Sequence, residues 1–213
     1  MKTTRSVKLY LVIAALALAF LSNGCATAPK AERWVAPALG STYTISRSDT
    51  GSYGSGTTQI TVKVAERMWE GKRMMAYVSP LGVNVTTPEG HWPAILGPDD
   101  KPIMSFEPPI GNDYPLEVGK TWNTSYRVTV HAANQTIPFD STSKIEAYEE
   151  VTVPAGTFKA FKIIYSDTTG NESVTWSNPE VGMWIKRIET RTAKHRAGPG
   201  TRETQLVSQN IPK

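Results

Sequence analysis

The sequence predicts an all-β domain built as a single antiparallel, strongly curved sheet of about ten to eleven strands, closing only as far as a half-barrel, open barrel or sandwich. Three observations predict it. Apolar and polar residues alternate with period two over most of the chain beyond residue 41. Gly, Pro and Asn clusters fall between the alternating runs rather than within them. No stretch of the mature chain carries the apolar period of an amphipathic helix. Alternation with one wet face belongs to antiparallel sheets, since strands of parallel sheets are buried on both faces.

The first element is an address. Residues 1–8 are cationic and residues 9–21 (LYLVIAALALAFL) form an unbroken apolar run. That is the n-region and h-region of a secretory signal. The run is shorter than the roughly 20 apolar residues a membrane-spanning helix needs. A small-x-small cleavage site is present at Ala26-Thr27-Ala28, but Pro29 follows it. The alternative, Ser22-Asn23-Gly24-Cys25, resembles the lipobox of bacterial lipoproteins and contains the only cysteine of the chain. The resemblance implies cleavage before Cys25 and acylation of its sulfur and new amine. Two or more acyl chains hold a protein firmly at a bilayer, whereas one holds it marginally. Ala26 rather than Asp follows the cysteine, which by the same resemblance implies sorting to the outer membrane, on its periplasmic side. The domain division is therefore a signal peptide over 1–24, a lipid-anchored linker over 25–40 and a β domain over 41–213.

Removing the leader changes the charge. The chain carries 23 basic and 19 acidic residues, a formal net charge of +4. Lys2, Arg5 and Lys8 lie in the first 24 residues, which hold no acid, so the remainder has 20 basic residues against the same 19 acidic ones. A nucleic-acid footprint needs a basic excess on one surface, and the mature chain has almost none overall. One cysteine also excludes a disulfide scaffold.

The linker, ATAPKAERWVAPALG, has no period and reads as a tether, with Trp34 and Val35 placed to dock onto the domain. In the β domain, Ile60, Val62, Val64 and Met68 alternate with Gln59, Thr61, Lys63 and Arg67. GSYGSG (51–56) precedes that run as a turn, and Glu70-Gly71-Lys72 follows it as a hairpin before Met74, Ala76 and Val78. The stretch 97–120 is rich in proline and reads as a crossover at a sheet edge or end. Thr121–His131 alternates most cleanly, with Trp122, Thr124, Tyr126, Val128 and Val130 on one face. Pro154-Ala155-Gly156 turns the chain into Phe161, Ile163 and Tyr165. Val174 and Trp176 precede the Asn178-Pro179-Glu180 turn, a strand starts at Met183, and AKHRAGPG (193–200) separates the last two strands.

Three segments, Leu116-Glu-Val-Gly-Lys-Thr-Trp122, Val151-Thr-Val-Pro-Ala-Gly-Thr-Phe158 and Trp176-Ser-Asn-Pro-Glu-Val-Gly182, resemble a pattern found in uncharacterised β-rich bacterial periplasmic proteins and lipoproteins. The resemblance covers roughly residues 114–207 and implies a curved antiparallel sheet. More distantly, the pattern is similar to the half-barrels of periplasmic lipoprotein carriers. It brings no catalytic residues.

The search for chemistry is largely negative. His91, His131 and His195 are far apart in sequence and Cys25 is assigned to lipid, so no zinc-type ligand set forms. Asp99-Asp100 reads as a solvated turn. There is no G-x-S-x-G elbow and no phosphate-binding loop; His131 and Asp140 form only the loose kind of set that any β protein offers. Strand alternation places Glu146 and Glu150 on one face and Glu149 on the other, which does not make a glycosidase pair. No catalytic residue, cofactor or metal is assigned, and the chain is expected to be non-enzymatic.

Two features carry binding expectations. Lys186, Arg187, Arg191, Lys194, Arg196 and Arg202 form a cationic cluster suited to an anionic surface, or else an edge guarded against strand pairing. Trp122, Tyr126, Phe161, Tyr165, Trp176 and Trp184 are the aromatics that would line an apolar groove on an open sheet, or else fill a core. The expected protein is thus an outer-membrane-anchored lipoprotein that binds an apolar ligand or an envelope partner. The alternatives are a purely structural envelope protein with a closed core, and an enzyme with an unrecognised site.

Overall fold

A computed structural model describes residues 29–212. Cys25 and the expected signal peptide over 1–24 lie outside the described residues. Twelve antiparallel strands follow one another around a closed barrel. They are β1 (Thr42–Gly51), β2 (Gly56–Trp69), β3 (Lys72–Ser79), β4 (Gly82–Thr86), β5 (Trp92–Leu96), β6 (Pro102–Ile110), β7 (Thr121–Val130), β8 (Gln135–Val153), β9 (Gly156–Asp167), β10 (Asn171–Asn178), β11 (Met183–Arg191) and β12 (Gly200–Asn210). A 3-10 turn, His131–Ala133, links β7 to β8.

The closed barrel corrects the expected open sheet. β1 pairs with β12 from Thr42↔Asn210 to Gly51↔Gly200, so neither terminal strand is an edge. Alternation shows which face of a strand is apolar but not whether the two end strands meet. Strands that the sequence did not mark out are β4 and β5, five residues each and too short to show a period, and β6, which occupies part of the proline-rich stretch expected to be a crossover. β6 tolerates Pro108 and Pro109 because pairing to both neighbours lapses there: the β7 ladder ends at Glu107↔Arg127 and the β5 ladder skips to Ile110.

Because the chain meanders, its turns divide between two ends. Turns 70–71, 87–91, 111–120, 154–155 and 179–182 share one end with the start of β1 and the close of β12. The turns at 52–55, 80–81, 97–101, 131–134, 168–170 and 192–199 form the other.

The core lies toward the first end. Tyr43, Ile45, Ile60, Val62 and Val64 are buried with Val151, Val153, Ala160, Ile185 and Leu206. Leu116, Ile145, Phe161 and Ile163 form a second cluster, flanked by Trp122 and Tyr148. The β8–β9 hairpin separates the two. A bulge between Ile145 and Ala147 resets its alternation, so Val151 and Ala160 face the first cluster and Tyr148 and Phe161 the second. Ala155 N–H in the hairpin tip donates to Leu206 O at 3.2 Å, although β10 and β11 lie between those strands in the sheet. The tip is therefore turned inward. Each large side chain buried in this way contributes roughly 1.5–3 kcal/mol. On β3 to β5 the wall is apolar on both faces: Tyr77 opposes Val64, while its neighbour Ala76 joins Val83, Val85, Ala94 and Leu96 on the other side.

The linker is ordered from its first described residues, and it lies across the core-side end. Ala31 and Leu116 exchange backbone hydrogen bonds of 3.0 and 2.8 Å. The Trp34 ring packs onto Gly90 in the β4–β5 turn, so tightly that a Cβ there would sit 2.5 Å from Trp34 Cγ. Pro37 packs onto Gly182 in the β10–β11 turn, and Gly40 N–H donates to Val64 O at 2.9 Å. The β4–β5 and β10–β11 turns stand half-way round the ring from each other. The strap thus crosses the barrel end.

Candidate functional site

The opposite end has a different interior. On β1 the core phase, Tyr43 and Ile45, continues as Arg47 and Asp49. On β11, Ile185 continues as Arg187, Glu189 and Arg191, and on β12 Leu206 continues as Thr204 and Arg202. Register aligns these residues into rows across the inner wall. Asp49 faces Arg202, Arg202 faces Glu189, Glu189 faces Ser173 and Ser173 faces Tyr165. One step toward the core, Arg47, Thr204, Arg187 and Thr175 form the next row. The barrel is apolar inside at the strap end and polar inside at the far end.

Asp49 is the hub. It accepts two hydrogen bonds from Arg202, Nε to Oδ1 at 2.8 Å and Nη2 to Oδ2 at 3.0 Å. Arg47 reaches Oδ2 with Nη2 at 2.8 Å and Nε at 3.0 Å. The hydrogen bonds from Arg202, then its charge and that of Arg47, overcome the burial penalty and hold the Asp49 carboxyl below its ordinary value. Arg187 pairs with Glu189 at 3.2 Å. Four arginines against Asp49, Glu189 and the adjoining Asp167 leave the polar interior with an excess of one positive charge.

Tyr53 roofs the cluster. Its ring centroid lies 3.9 Å from Arg191 Cζ and 4.4 Å from Arg202 Cζ. Such stacking contributes about 0.5–2 kcal/mol per cation, more where water is excluded. The β1–β2 turn that carries Tyr53 is fastened to the β11–β12 loop through Ser52 N–H to Pro199 O (2.9 Å) and Ser52 Oγ to Gly198 O (2.8 Å). Gly51 and Gly200 permit this approach. A Cβ on Gly51 would come 2.5 Å from Pro199 O, and one on Gly200 2.6 Å from Ser52 N. Arg191 Nη1 donates to Ser52 O at 2.9 Å. Arg187 Nε and Arg191 Nε are buried donors without an acceptor among the described residues. Two guanidiniums therefore hold donor capacity that the described residues leave unused.

A tyrosine–aspartate relay continues the polar wall. Tyr126 and Tyr165 share a hydroxyl contact of 2.9 Å, and Tyr165 donates to Asp167 Oδ2 at 3.0 Å. Burial pushes the Asp167 carboxyl up, but hydrogen bonds from Thr169 and Asn171 outweigh it and leave the group below its ordinary value. Burial first, then the Tyr126 hydroxyl, drives the Tyr165 phenol far above the range in which it ionises in water. Tyr165 is thus a fixed hydrogen-bond donor and not a base.

The six cationic residues expected to act together separate. Arg187, Arg191 and Arg202 line the inner wall, where Arg47, Asp49, Tyr53 and Glu189 join them. Lys194 and Arg196 are exposed on the β11–β12 loop beside it. Lys186 lies on the outer face, paired with Glu203 at 2.7 Å. There it stands 5.7 Å from the Trp176 ring, with Lys162 at 5.9 Å. The six aromatics separate too. Trp122 and Phe161 belong to the second core cluster and Trp176 and Trp184 pack against the first, while Tyr126 and Tyr165 share the relay. Trp176 opposes Lys162, whose neighbour Phe161 points to the other face of β9.

The β8 bulge overturns the expected placement of its glutamates. Glu146 and Glu149 converge, Glu146 on Lys162 at 2.6 Å and Glu149 on Trp176 Nε1 at 2.8 Å. Hydrogen bonding to Glu146 raises the Lys162 ammonium above its ordinary value. His131 contacts Ser105 and Asp140 accepts from Ser125, two separate pairs. Asp99 pairs with Lys101 and Asp100 with Arg67. No group of three or more metal-ligating side chains forms among the described residues. Among them, no helix is long and apolar enough to cross a membrane.

No protein-family model matches the chain, and no curated protein matches it. Among the solved structures similar to it are three from bacteria. One, described as a lipoprotein from Parabacteroides distasonis ATCC 8503, has 11% identity and a TM-score of 0.44 over 84% of this chain and 99% of that one. The second, described as an exported protein with YmcC-like fold from Bacteroides fragilis NCTC 9343, has 12% identity and a TM-score of 0.46 over 84% and 99%. The third is the hypothetical lipoprotein YmcC from Escherichia coli K12, with 13% identity and a TM-score of 0.44 over 95% and 97%.

Proposed function

We propose that the chain is a non-enzymatic cell-envelope lipoprotein, tethered through Cys25 to the periplasmic side of the outer membrane, whose arginine-lined barrel mouth binds an anionic group of an envelope ligand or partner. The carrying observation is the polarity of the barrel: the linker leaves at the filled, apolar end, and the mouth lies at the other. A tether at one end presents the other to the periplasm. The mouth offers guanidiniums in charge excess, a tyrosine plate and hydroxyls, and such groups recognise carboxylate or phosphate through charge-assisted, directional hydrogen bonds. Groove binding of an apolar ligand would need the six aromatics on one open face, and their division between two clusters and two sheet faces favours the mouth.

Calorimetric titration with a polyglutamate peptide and a uronate oligosaccharide tests the reading. Binding that weakens with salt and drops at least about tenfold in Arg187→Gln/Arg191→Gln supports it, about 1.4 kcal/mol. Equal affinity of that variant and the parent for both probes contradicts it.

A further inference from the structure

We infer that the strap end of the barrel is a seat that rests on the lipid surface, so that the protein stands on its membrane end-on instead of swinging on a loose tether. The inference rests on the proposed anchoring at Cys25.

Three observations carry it. First, the exposed large apolar side chains are gathered at one end. Of the seven such residues among the described ones, Val35, Leu39, Met68, Val118 and Ile211 belong to the strap end, with 37–58% of their surface exposed, while Leu81 and Ile103 lie at the other. They come from four separate parts of the chain: the strap, the end of β2, the β6–β7 connection and the segment after β12. Convergence from distant segments on one end marks an interaction surface rather than a local apolar run.

Second, the chain outside the structure leads from the same end. Ala31 is pinned to Leu116 there, and five residues, 26–30, separate it from Cys25. That length of chain spans at most about 20 Å. Third, the strap cannot lengthen the tether without losing its own packing. Trp34 on Gly90, Pro37 on Gly182 and Gly40 on Val64 hold it across the end. A cysteine acylated in the bilayer therefore holds this end, and not the mouth, next to the headgroups.

The character of the contact follows from the charges. Glu32, Glu70, Glu89, Asp113, Glu117 and Glu180 stand among Lys30, Arg33, Lys72 and Lys120 at this end. Mixed signs give no net attraction to anionic lipid, so the contact is apolar insertion of side chains and should resist salt.

The test uses the full chain, acylated in cells and reconstituted into vesicles of phosphatidylethanolamine and phosphatidylglycerol. Cys25 is the only cysteine, and its sulfur carries the lipid, so Leu39→Cys, Val118→Cys and Leu81→Cys each present one free thiol for an environment-sensitive fluorophore. Spin-labelled lipid is expected to quench the probes at 39 and 118 several-fold more than the probe at 81, at low and high salt alike. Equal quenching at all three positions in protein that floats with the vesicles overturns the seat alone. Protein that does not float and carries no acyl mass on Cys25 overturns the anchor, and the seat with it.

Discussion

Replacing Asp49 by alanine removes the acceptor shared by two arginines on the inner wall. Asp49 is nearly enclosed, its side chain 10% exposed, and takes four contacts of 2.8–3.0 Å from Arg47 and Arg202. Removing one partner of a buried ion pair costs about 3–5 kcal/mol, because the other charge stays behind unpaired. Arg47 and Arg202 retain about a quarter of their side-chain exposure, so water recovers part of that cost and the lower figure, about 3 kcal/mol, applies. The charge excess of the mouth also rises from one to two. The assay is urea unfolding, read as a lower midpoint at unchanged slope. For a domain of this size the loss corresponds to a fall in Tm of roughly 6–12 °C. The double variant Asp49→Ala/Arg202→Ala should recover roughly 1–2 kcal/mol relative to additivity. A loss under about 0.5 kcal/mol, the range of ordinary surface changes, would refute the hub.

The other predictions concern the core, the strap and pH. Leu206→Ala, at a fully buried position in the first cluster, should cost about 2–5 kcal/mol in the same unfolding assay, while Leu81→Ala at the exposed far-end turn stays within about 0.5. Gly182→Ala should destabilise by about 1 kcal/mol or more, because φ is +72° there and the new Cβ would sit 2.8 Å from Pro37; faster hydrogen exchange over residues 31–40 is the local readout. Tyr43→Phe should cost about 1 kcal/mol by removing the 2.8 Å bond to Val181 O. Asp49, Asp167 and Glu203 all have carboxyl groups held below their ordinary values, chiefly by Arg202 for Asp49 and Lys186 for Glu203, and by Thr169 and Asn171 against burial for Asp167. Their contribution is fully present above the unfolded-state range near pH 4 and is lost as pH falls through the lower folded values, so stability followed by circular dichroism should drop steeply below about 4; His195, held below its ordinary value by burial and then by Arg191, adds an earlier, smaller loss as pH falls below about 6.5.

Much of this architecture was legible because period two survives in any half-wet sheet. The runs at 59–68 and 121–131 became β2 and β7, and the turns at 51–56, 70–72, 154–156 and 193–200 fall between strands. Closure was not legible, since it depends on Thr42 meeting Asn210 across the whole chain. Neither was the inward hairpin tip, because one bulge at Ile145–Ala147 reverses the faces of the rest of β8. The mouth was half-visible. The cationic run near the C-terminus stood out by charge density, but its partners on β1 did not. The clue was there in phase: Arg47 and Asp49 continue the face of Tyr43 and Ile45, as Arg187, Glu189 and Arg191 continue that of Ile185. Charges in register with a core stripe point inward, whereas Lys186, one step out of phase, points away.

The central claim, that the filled end of this barrel is the tethered end, is tested most directly by intact mass spectrometry of the protein extracted from membranes. The expected species is a chain beginning at Cys25 and carrying a diacylglyceryl group with a further acyl chain. A mature chain beginning at Pro29, or a Cys25 that carries no lipid, would contradict it.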